Sequence, residues 1–180
     1  MQVKKNLNSS RGFTLIEIII AVSILLFGVV LVYSAFSSMT ALTYGVSSRF
    51  TAVYLASEGL EIVRNLRDNN FIAMASDPSN AGITWSLGLA GNPCDRGCIA
   101  SYKTINTGQL ALYDGEFLGL NAQGFYDYDA NSTPTIFKRK ITISPVEGTS
   151  DILKVNVVVL WSYNNQDFNF QADEYLYNWL

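Results

Sequence analysis

The feature that most restricts this fold is a long apolar run close to the N-terminus. Between Glu17 and Arg49 the sequence contains no Asp, Glu, Lys or Arg, and a helix that crosses a bilayer needs roughly 20 apolar residues. The apolar region of a secretory signal peptide is shorter, about 7 to 15 residues. The run therefore predicts a membrane-spanning helix. Signal cleavage near Ser34, Ala35 and Ser37 is the alternative.

The residues ahead of the run predict its orientation. Lys4, Lys5 and Arg11 are the basic residues before Gly12, and no acidic residue precedes it. Basic flanking residues stay on the cytoplasmic side of a membrane. We therefore expect a single-pass protein of the cytoplasmic membrane with its N-terminus inside and its C-terminal part outside.

The composition argues against two classes of function. The chain has no histidine, so the commonest general base and the commonest metal ligand are both missing. We expect neither an enzyme nor a cofactor. Three of the 12 basic residues and none of the 15 acidic residues precede Gly12, so the remaining chain carries a formal charge of −6. Such an acidic chain is not expected to bind nucleic acid.

A helical pattern continues beyond the apolar run. We expect one helix from about Phe13 to about Asn70, because the apolar residues keep a helical period throughout its second half. On the polar side of that half, Arg64 is spaced to pair with both Glu61 and Asp68. The members of the apolar face are Leu55, Gly59, Ile62 and Leu66.

The last third of the sequence predicts an antiparallel sheet. Apolar and polar residues alternate along "TIFKRKITIS" and "DILKVNVVVLWSY", and the turn-forming link "PVEGTSD" joins them as a hairpin. The aromatic segment "DFNFQADEYLYNWL" is a candidate third strand. Together these patterns predict an α+β fold in which the long N-terminal helix, transmembrane in its first half, packs on a small antiparallel sheet.

Glu17 is unusual because it lies at the start of the membrane-spanning run. A lone charged side chain at the centre of a bilayer costs roughly 2.5 to 3.5 kcal/mol. Such a residue is a candidate functional site, and its natural partner in a self-associating protein is a positive group on a neighbouring copy. The alternative is a helix N-terminal acid that interacts with the helix dipole at the membrane surface.

The segment "RGFTLIE", residues 11–17, resembles the cleavage motif of type IV prepilins and of type II secretion pseudopilins. The blocks "YLASEGLEIVRNLRD", "FKRKITIS" and "LKVNVVVLWSY" resemble the I-type or PilV-like minor subunits of this family. The stretch from Phe71 to Asp129 resembles no family that we can name. The resemblance predicts a leader peptide at 1–12, a transmembrane half-helix at 13–36, an amphipathic half-helix at 37–70 and a globular head at 71–180.

The resemblance also implies a function for the N-terminal residues. A prepilin peptidase, which is also a methyltransferase, would cut between Gly12 and Phe13 and methylate the new amine of Phe13. That amine would pair with Glu17 of a neighbouring subunit. The further partners implied are other pilin or pseudopilin subunits and the inner-membrane assembly platform, with a filament in the cell envelope or outside the cell as the product. A signal-anchored extracellular binding module or enzyme is the competing interpretation.

Three other groups of residues are candidate sites. Cys94 and Cys98 lie on the expected exported side, where a small disulfide loop can form, and two free thiols are the alternative.

The alternate spacing of a calcium loop occurs at Asp127, Asp129 and Asn131, but the glycine and the final glutamate of that loop are absent. We therefore predict no metal. The basic run in "FKRK" is interpreted as the solvated face of a strand rather than a DNA contact.

Overall fold

The computed structural model of the chain describes residues 12–91 and 93–179, except for the side chains of residues 40–42. Most of the predicted leader, including Lys4, Lys5 and Arg11, therefore lies outside the described residues. The helices and strands, in chain order, are α1 (Leu15–Ser76), β1 (Cys98–Ile99), α2 (Thr104–Thr107), β2 (Ala111–Leu112), β3 (Gly119–Leu120), β4 (Tyr126–Asp127), β5 (Thr133–Pro134), β6 (Phe137–Pro145), β7 (Ile152–Tyr163) and β8 (Gln166–Tyr177).

Helix α1 comprises 62 residues and ends at Ser76, six residues beyond the expected end at Asn70. No proline or glycine interrupts the chain between Asn70 and Asp77. The helix stops where Pro78 follows, because a residue before proline is disfavoured in the helical conformation. The N–H of Asp77 still donates to the carbonyl of Ala73 at 3.0 Å, so the helical hydrogen bonding continues up to that point.

The chain divides into two compact units, Met1–Gly45 and Val46–Leu180. In the first unit, the described apolar side chains of α1 are exposed. The second unit contains the rest of α1 together with both sheets. The predicted boundaries within the helix and at the start of the head remain predictions.

The larger sheet has five strands in the order β2-β1-β6-β7-β8. Each neighbouring pair is antiparallel, and the predicted hairpin of β6 and β7 is present, with Phe137 opposite Trp161 and Ile143 opposite Val155. A smaller antiparallel sheet has the order β4-β3-β5. The α+β, pilin-like architecture with a long N-terminal helix followed by antiparallel sheets is confirmed.

Strand β8 is the predicted third strand, and a two-residue turn joins it to β7. Asn164 and Asn165 form the turn with φ angles of 51° and 58°. Asparagine tolerates this left-handed conformation better than most residues, and two such residues in succession make the turn that matches the twist of a β-hairpin. All 12 residues of β8 are consequently paired with β7 in one register, from Gln166 opposite Tyr163 to Tyr177 opposite Ile152.

The core of the second unit lies between helix α1 and the inner face of the larger sheet. The predicted helix face is buried, and Ala52, Ala56 and Val63 extend it. From the sheet come alternate residues of three strands, as the period of two requires. The fully or almost fully buried members are Ile141, Ile143, Leu153, Val155, Val157, Val159 and Leu176.

The polar side of α1 differs from the expected pairing in one contact. Arg64 pairs with Glu61, as its spacing predicts, but its second partner is Glu174 of β8 at 2.7 Å rather than Asp68. Asp68 instead accepts a hydrogen bond from its neighbour Arg67 at 2.8 Å. The expected pair of Arg64 with Asp68 was wrong because the folded sheet brings the carboxylate of Glu174, 110 positions away in the chain, within reach of the guanidinium.

Candidate functional site

Thr14 fixes the point at which helix α1 begins. Gly12 and Phe13 precede the helix in non-helical backbone. The N–H of Glu17 lies 3.1 Å from the carbonyl oxygen and 3.3 Å from the side-chain Oγ1 of Thr14, and the N–H of Ile18 donates to the same carbonyl at 3.2 Å. Thr14 is therefore the N-cap, which satisfies one of the otherwise unpaired N–H groups of the first turn.

Glu17 lies in the first turn of α1. A carboxylate at that position interacts favourably with the positive end of the helix dipole. Within residues 12–91 and 93–179, no Lys or Arg forms an ion pair with it. The side chain of Phe13 nearby is 79% exposed. The start of the helix thus presents an acid and an aromatic ring, both available to another molecule.

The helix surface beyond Glu17 is apolar and uncovered. Helix α1 is the one helix among the described residues that is long and apolar enough to cross a membrane, and none of its most apolar stretch, of mean hydropathy 3.0, is buried. Gly28 interrupts the large side chains and leaves a shallow apolar groove beside it. The other residues that line this groove are Leu25, Val29, Val32, Tyr33 and Phe36. Such a surface is stable in lipid or against other apolar helices.

Comparison with known proteins identifies this same segment. Residues 7–33 match the family model of the prokaryotic N-terminal methylation motif. The chain carries an N-terminal methylation motif. The matched residues include Gly12, Phe13 and Glu17 and much of the exposed apolar helix. The motif supports the type IV pilin and pseudopilin family and a structural subunit processed by prepilin peptidase. No curated protein and no solved structure matches the chain.

Cys94 and Cys98 form a disulfide with their Cα atoms 4.7 Å apart. Both are buried. The bond closes a short loop whose two ends contact β6: the carbonyl of Cys94 accepts a hydrogen bond from the N–H of Ile143 at 3.0 Å, and Cys98 pairs with Ile141. The disulfide therefore anchors strand β1 to the centre of the sheet.

The residues that resemble a calcium loop are held by a lysine. The Nζ of Lys103 lies 3.2 Å from an Oδ2 of Asp127 and 2.9 Å from Oδ2 of Asp129. Asp127, of which only 1% is exposed, also accepts hydrogen bonds from Ser132 and from Asn121. Asn131 donates to Asp129 through both its backbone N–H and its side chain. The ammonium thus lies between the two carboxylates, and the described residues contain no group of three or more potential ligands for a metal ion.

These contacts shift the pKa values of both acids. Burial alone would raise the pKa of Asp127, but hydrogen bonds from Ser132, the Asp129 backbone and Lys103 lower it below its ordinary value. The hydrogen bond from Lys103 is the largest cause of the lowered pKa of Asp129. The pKa of Lys103 is raised in return, chiefly by its hydrogen bond to Asp129. All three groups are charged at neutral pH, and the loop is held by an internal ion pair network.

The basic run of "FKRK" does not form one solvated face. Lys138 and Lys140 lie outside the core, with their ammonium groups 4.3 Å from the ring centroid of Phe117 and 6.0 Å from that of Tyr113. Arg139 points the other way and is 0% exposed. The interpretation of the run as a solvated face was wrong for Arg139, because strand alternation places every second residue in the core.

Arg139 joins three segments of the second unit. Its Nη1 donates to the carbonyl of Leu55 at 2.8 Å and lies 3.1 Å from the Glu58 carboxylate, and its Nη2 donates to the carbonyl of Ala100 at 2.6 Å. A buried arginine with these partners is a structural residue rather than a ligand-binding one. Sequence reasoning missed it, although the order Phe137, Arg139, Ile141 on one face was the available signal.

Proposed function

We propose that this protein is the precursor of a minor pilin or pseudopilin subunit. Prepilin peptidase cuts it between Gly12 and Phe13 and methylates the amine of Phe13. The observation that carries the proposal is the methylation motif over residues 7–33, with the scissile pair in exposed, non-helical backbone ahead of the helix. A non-helical segment can enter a peptidase active site without any unfolding of the helix that follows.

Glu17 acts in assembly. Its carboxylate accepts the positively charged amine of Phe13 from a neighbouring subunit as that subunit enters the filament. Two observations support this role: the carboxylate has no cationic partner among the described residues, and it borders an apolar surface that is exposed along its length. The pair would offset the roughly 2.5 to 3.5 kcal/mol that an unpaired charge costs in a bilayer.

Helix α1 serves first as a membrane anchor and then as a part of the filament core. Before assembly, Lys4, Lys5 and Arg11 hold the N-terminus on the cytoplasmic side, so that the second unit faces outward. The partners of this stage are the inner-membrane assembly platform and other pilin or pseudopilin subunits. In the filament, the exposed apolar helix surface packs against the same surface of its neighbours.

The mass of the N-terminal peptide tests this proposal. Protein recovered from native membranes should begin at Phe13 and be heavier by one methyl group, whereas an intact Met1 or cleavage after Ala35 or Ser37 would refute it. Gly12→Val separates cleavage from folding, because a Cβ at Gly12 would meet nothing within 4 Å. That variant should fold as before and yet remain uncut, since only the peptidase would sense the added side chain.

A further inference from the structure

Strand β8 forms a long edge of the larger sheet. It ends the strand order, and among the described residues it pairs only with β7. Its 12 residues extend over about 40 Å at 3.4 Å per residue. The register with β7 is continuous and contains no bulge. The strand therefore presents one uninterrupted row of backbone groups on the side away from β7.

The turn at Asn164 and Asn165 determines which backbone groups form that row. The residues that flank a two-residue hairpin turn, here Tyr163 and Gln166, exchange hydrogen bonds with each other. In an antiparallel pair, hydrogen-bonded and non-bonded positions alternate from there. The odd-numbered residues of β8 consequently direct their N–H and C=O groups outward. They are Asp167, Asn169, Gln171, Asp173, Tyr175 and Tyr177, and all six are exposed.

This edge has little of the usual protection against strand pairing. Folded proteins place charged residues, above all lysine, or proline, bulges or a covering segment at exposed edges. Residues 166–177 contain neither lysine nor proline. Within the described part of the chain, no turn or loop forms a backbone hydrogen bond with residues 167–177. The unpaired backbone groups of the edge can thus bind a further strand through hydrogen bonds.

The charge of the edge indicates what that strand carries. Residues 166–177 include Asp167, Asp173 and Glu174 and no basic residue. Glu174 faces the helix and is paired with Arg64, and Asp173 lies 3.5 Å from the ammonium of Lys154 on β7. Asp167 is the acid of the edge that pairs with no Lys or Arg among the described residues. A second copy of β8 would bring three more acids to the same edge, and like charges directly opposite each other are destabilising. A segment with Lys or Arg opposite Asp167 would be favoured.

We propose that the β8 edge binds an extended segment of a different protein, which adds to the sheet as a sixth strand and places a basic side chain near Asp167. The inference concerns the second unit alone and does not depend on processing at Gly12. Backbone hydrogen bonds supply the affinity of such an interaction, and the acidic side chains of the edge select against a second copy of this chain.

Photo-crosslinking in the native cells tests the proposal. A photoreactive phenylalanine at Asn169 of the full-length protein should form an adduct, and mass spectrometry should place the link in a segment with Lys or Arg close to the linked residue. The same substitution at Thr142, in the interior strand β6, is the position control. An adduct with β8 of a second copy, or no adduct specific to position 169, would overturn the proposal.

Further variants of β8 separate backbone pairing from simple proximity. Gln171→Pro removes an outward N–H without breaking the bonds to β7, a position where edge strands tolerate proline, and should reduce the adduct by about tenfold. The matched variant Gln171→Ala should leave it unchanged. Asp167→Asn leaves the backbone and the pair of Asp173 with Lys154 untouched, so it decides the charge argument even if the proline variant unfolds. The adduct should fall severalfold, and an unchanged yield would contradict the choice of a basic partner.

Discussion

The side chain of Arg139 crosses helix α1 at Gly59. A Cβ added to Gly59 would lie 3.1 Å from Cδ of Arg139 and 3.1 Å from Cγ1 of Val157. Glycine inside a helix costs about 1 kcal/mol relative to alanine. Because Gly59 has no Cβ, the Arg139 side chain can pass this close to the helix, and its guanidinium reaches the Leu55 carbonyl. The glycine of the helix and the arginine of the sheet thus form one packing unit.

Gly59→Ala should therefore destabilise the second unit, although alanine is the better helix former. The added methyl group would press on two buried side chains, and such overpacking costs about 1 to 3 kcal/mol. Thermal unfolding of the detergent-solubilised protein measures the change. Gly45→Ala is the matched control, because a Cβ there would meet nothing within 4 Å, and it should not lower the unfolding temperature. Equal effects of the two variants would refute the packing argument.

Arg139→Met should be strongly destabilising. The substitution keeps most of the aliphatic stem but leaves the carbonyls of Leu55 and Ala100 without the guanidinium, and disruption of a buried ionic group costs about 3 to 5 kcal/mol. Chemical denaturation gives the free energy of unfolding. Lys138→Met, on the adjacent residue but outside the core, should change it by less than about 1 kcal/mol. Similar losses for both variants would show that the buried contacts are not decisive.

Glu17→Gln should separate processing from assembly. The amide has the shape of the carboxylate but no charge, so it cannot form an ion pair with the amine of an incoming Phe13. We expect a normal N-terminal mass and an incorporation into filaments that falls to background. Glu17→Asp retains the charge on a shorter side chain and should retain part of the incorporation. Normal assembly of the Gln variant would refute the role proposed for Glu17.

The loop in which Lys103 pairs with Asp127 and Asp129 should make the second unit sensitive to acid. The pKa values of Asp127 and Asp129 are lower in the folded protein than in the unfolded chain. Their stabilisation is therefore complete above the ordinary carboxyl pKa of about 4 and is lost as the pH falls through the lower folded values. The unfolding temperature should therefore fall as the pH is lowered below about 4.

Lys103→Met should reduce that acid sensitivity and lower the stability at neutral pH. The control is Lys140→Met, whose ammonium faces the Tyr113 ring rather than a carboxylate, and it should leave the pH profile unchanged. Added calcium should not alter the unfolding temperature of the unmodified protein, since the ammonium of Lys103 already lies between the two carboxylates. A rise with calcium would show that the metal displaces the lysine.

Reduction of the Cys94–Cys98 disulfide should destabilise the second unit by about 2 kcal/mol, the loop-closure estimate for so short a loop. The comparison is thermal unfolding with and without a thiol reductant. The double variant Cys94→Ser with Cys98→Ser should behave like the reduced protein and lose its response to the reductant. An unchanged unfolding temperature on reduction would mean that the loop contacts with Ile141 and Ile143 suffice without the bond.

The parts of the fold that the sequence predicted are those with a sustained period. The alternation from Leu153 to Trp161 and the helical repeat from Leu55 to Leu66 each extend over several residues, so one misleading side chain does not hide them. The strands between Cys98 and Pro134 are two residues long. A pattern that short carries no period, and its pairing depends on contacts that only the folded chain provides.

The candidate sites likewise divide into those that the sequence alone reveals and those that depend on the fold. The motif at Gly12, Phe13 and Glu17 is contiguous in the sequence, so it could be recognised without a structure. The roles of Lys103 and Arg139 depend on partners that are distant in the chain: Lys103 meets an acid 26 positions away, and Arg139 meets Leu55 84 positions away. The spacing resembled a calcium loop and the missing ligands argued against a metal, but neither could indicate that Lys103 lies between the two carboxylates.

The short loop closed by Cys94 and Cys98 bears on the order in which the second unit takes shape. Only four positions separate the two cysteines, so the ring can close before residues 137–145 have joined the sheet. The thiols of so short a loop meet in less than a microsecond, whereas the disulfide itself forms in seconds to hours, depending on the oxidant. The supply of oxidant, rather than the search of one thiol for the other, would thus decide whether strand β6 pairs with a closed ring or with an open one.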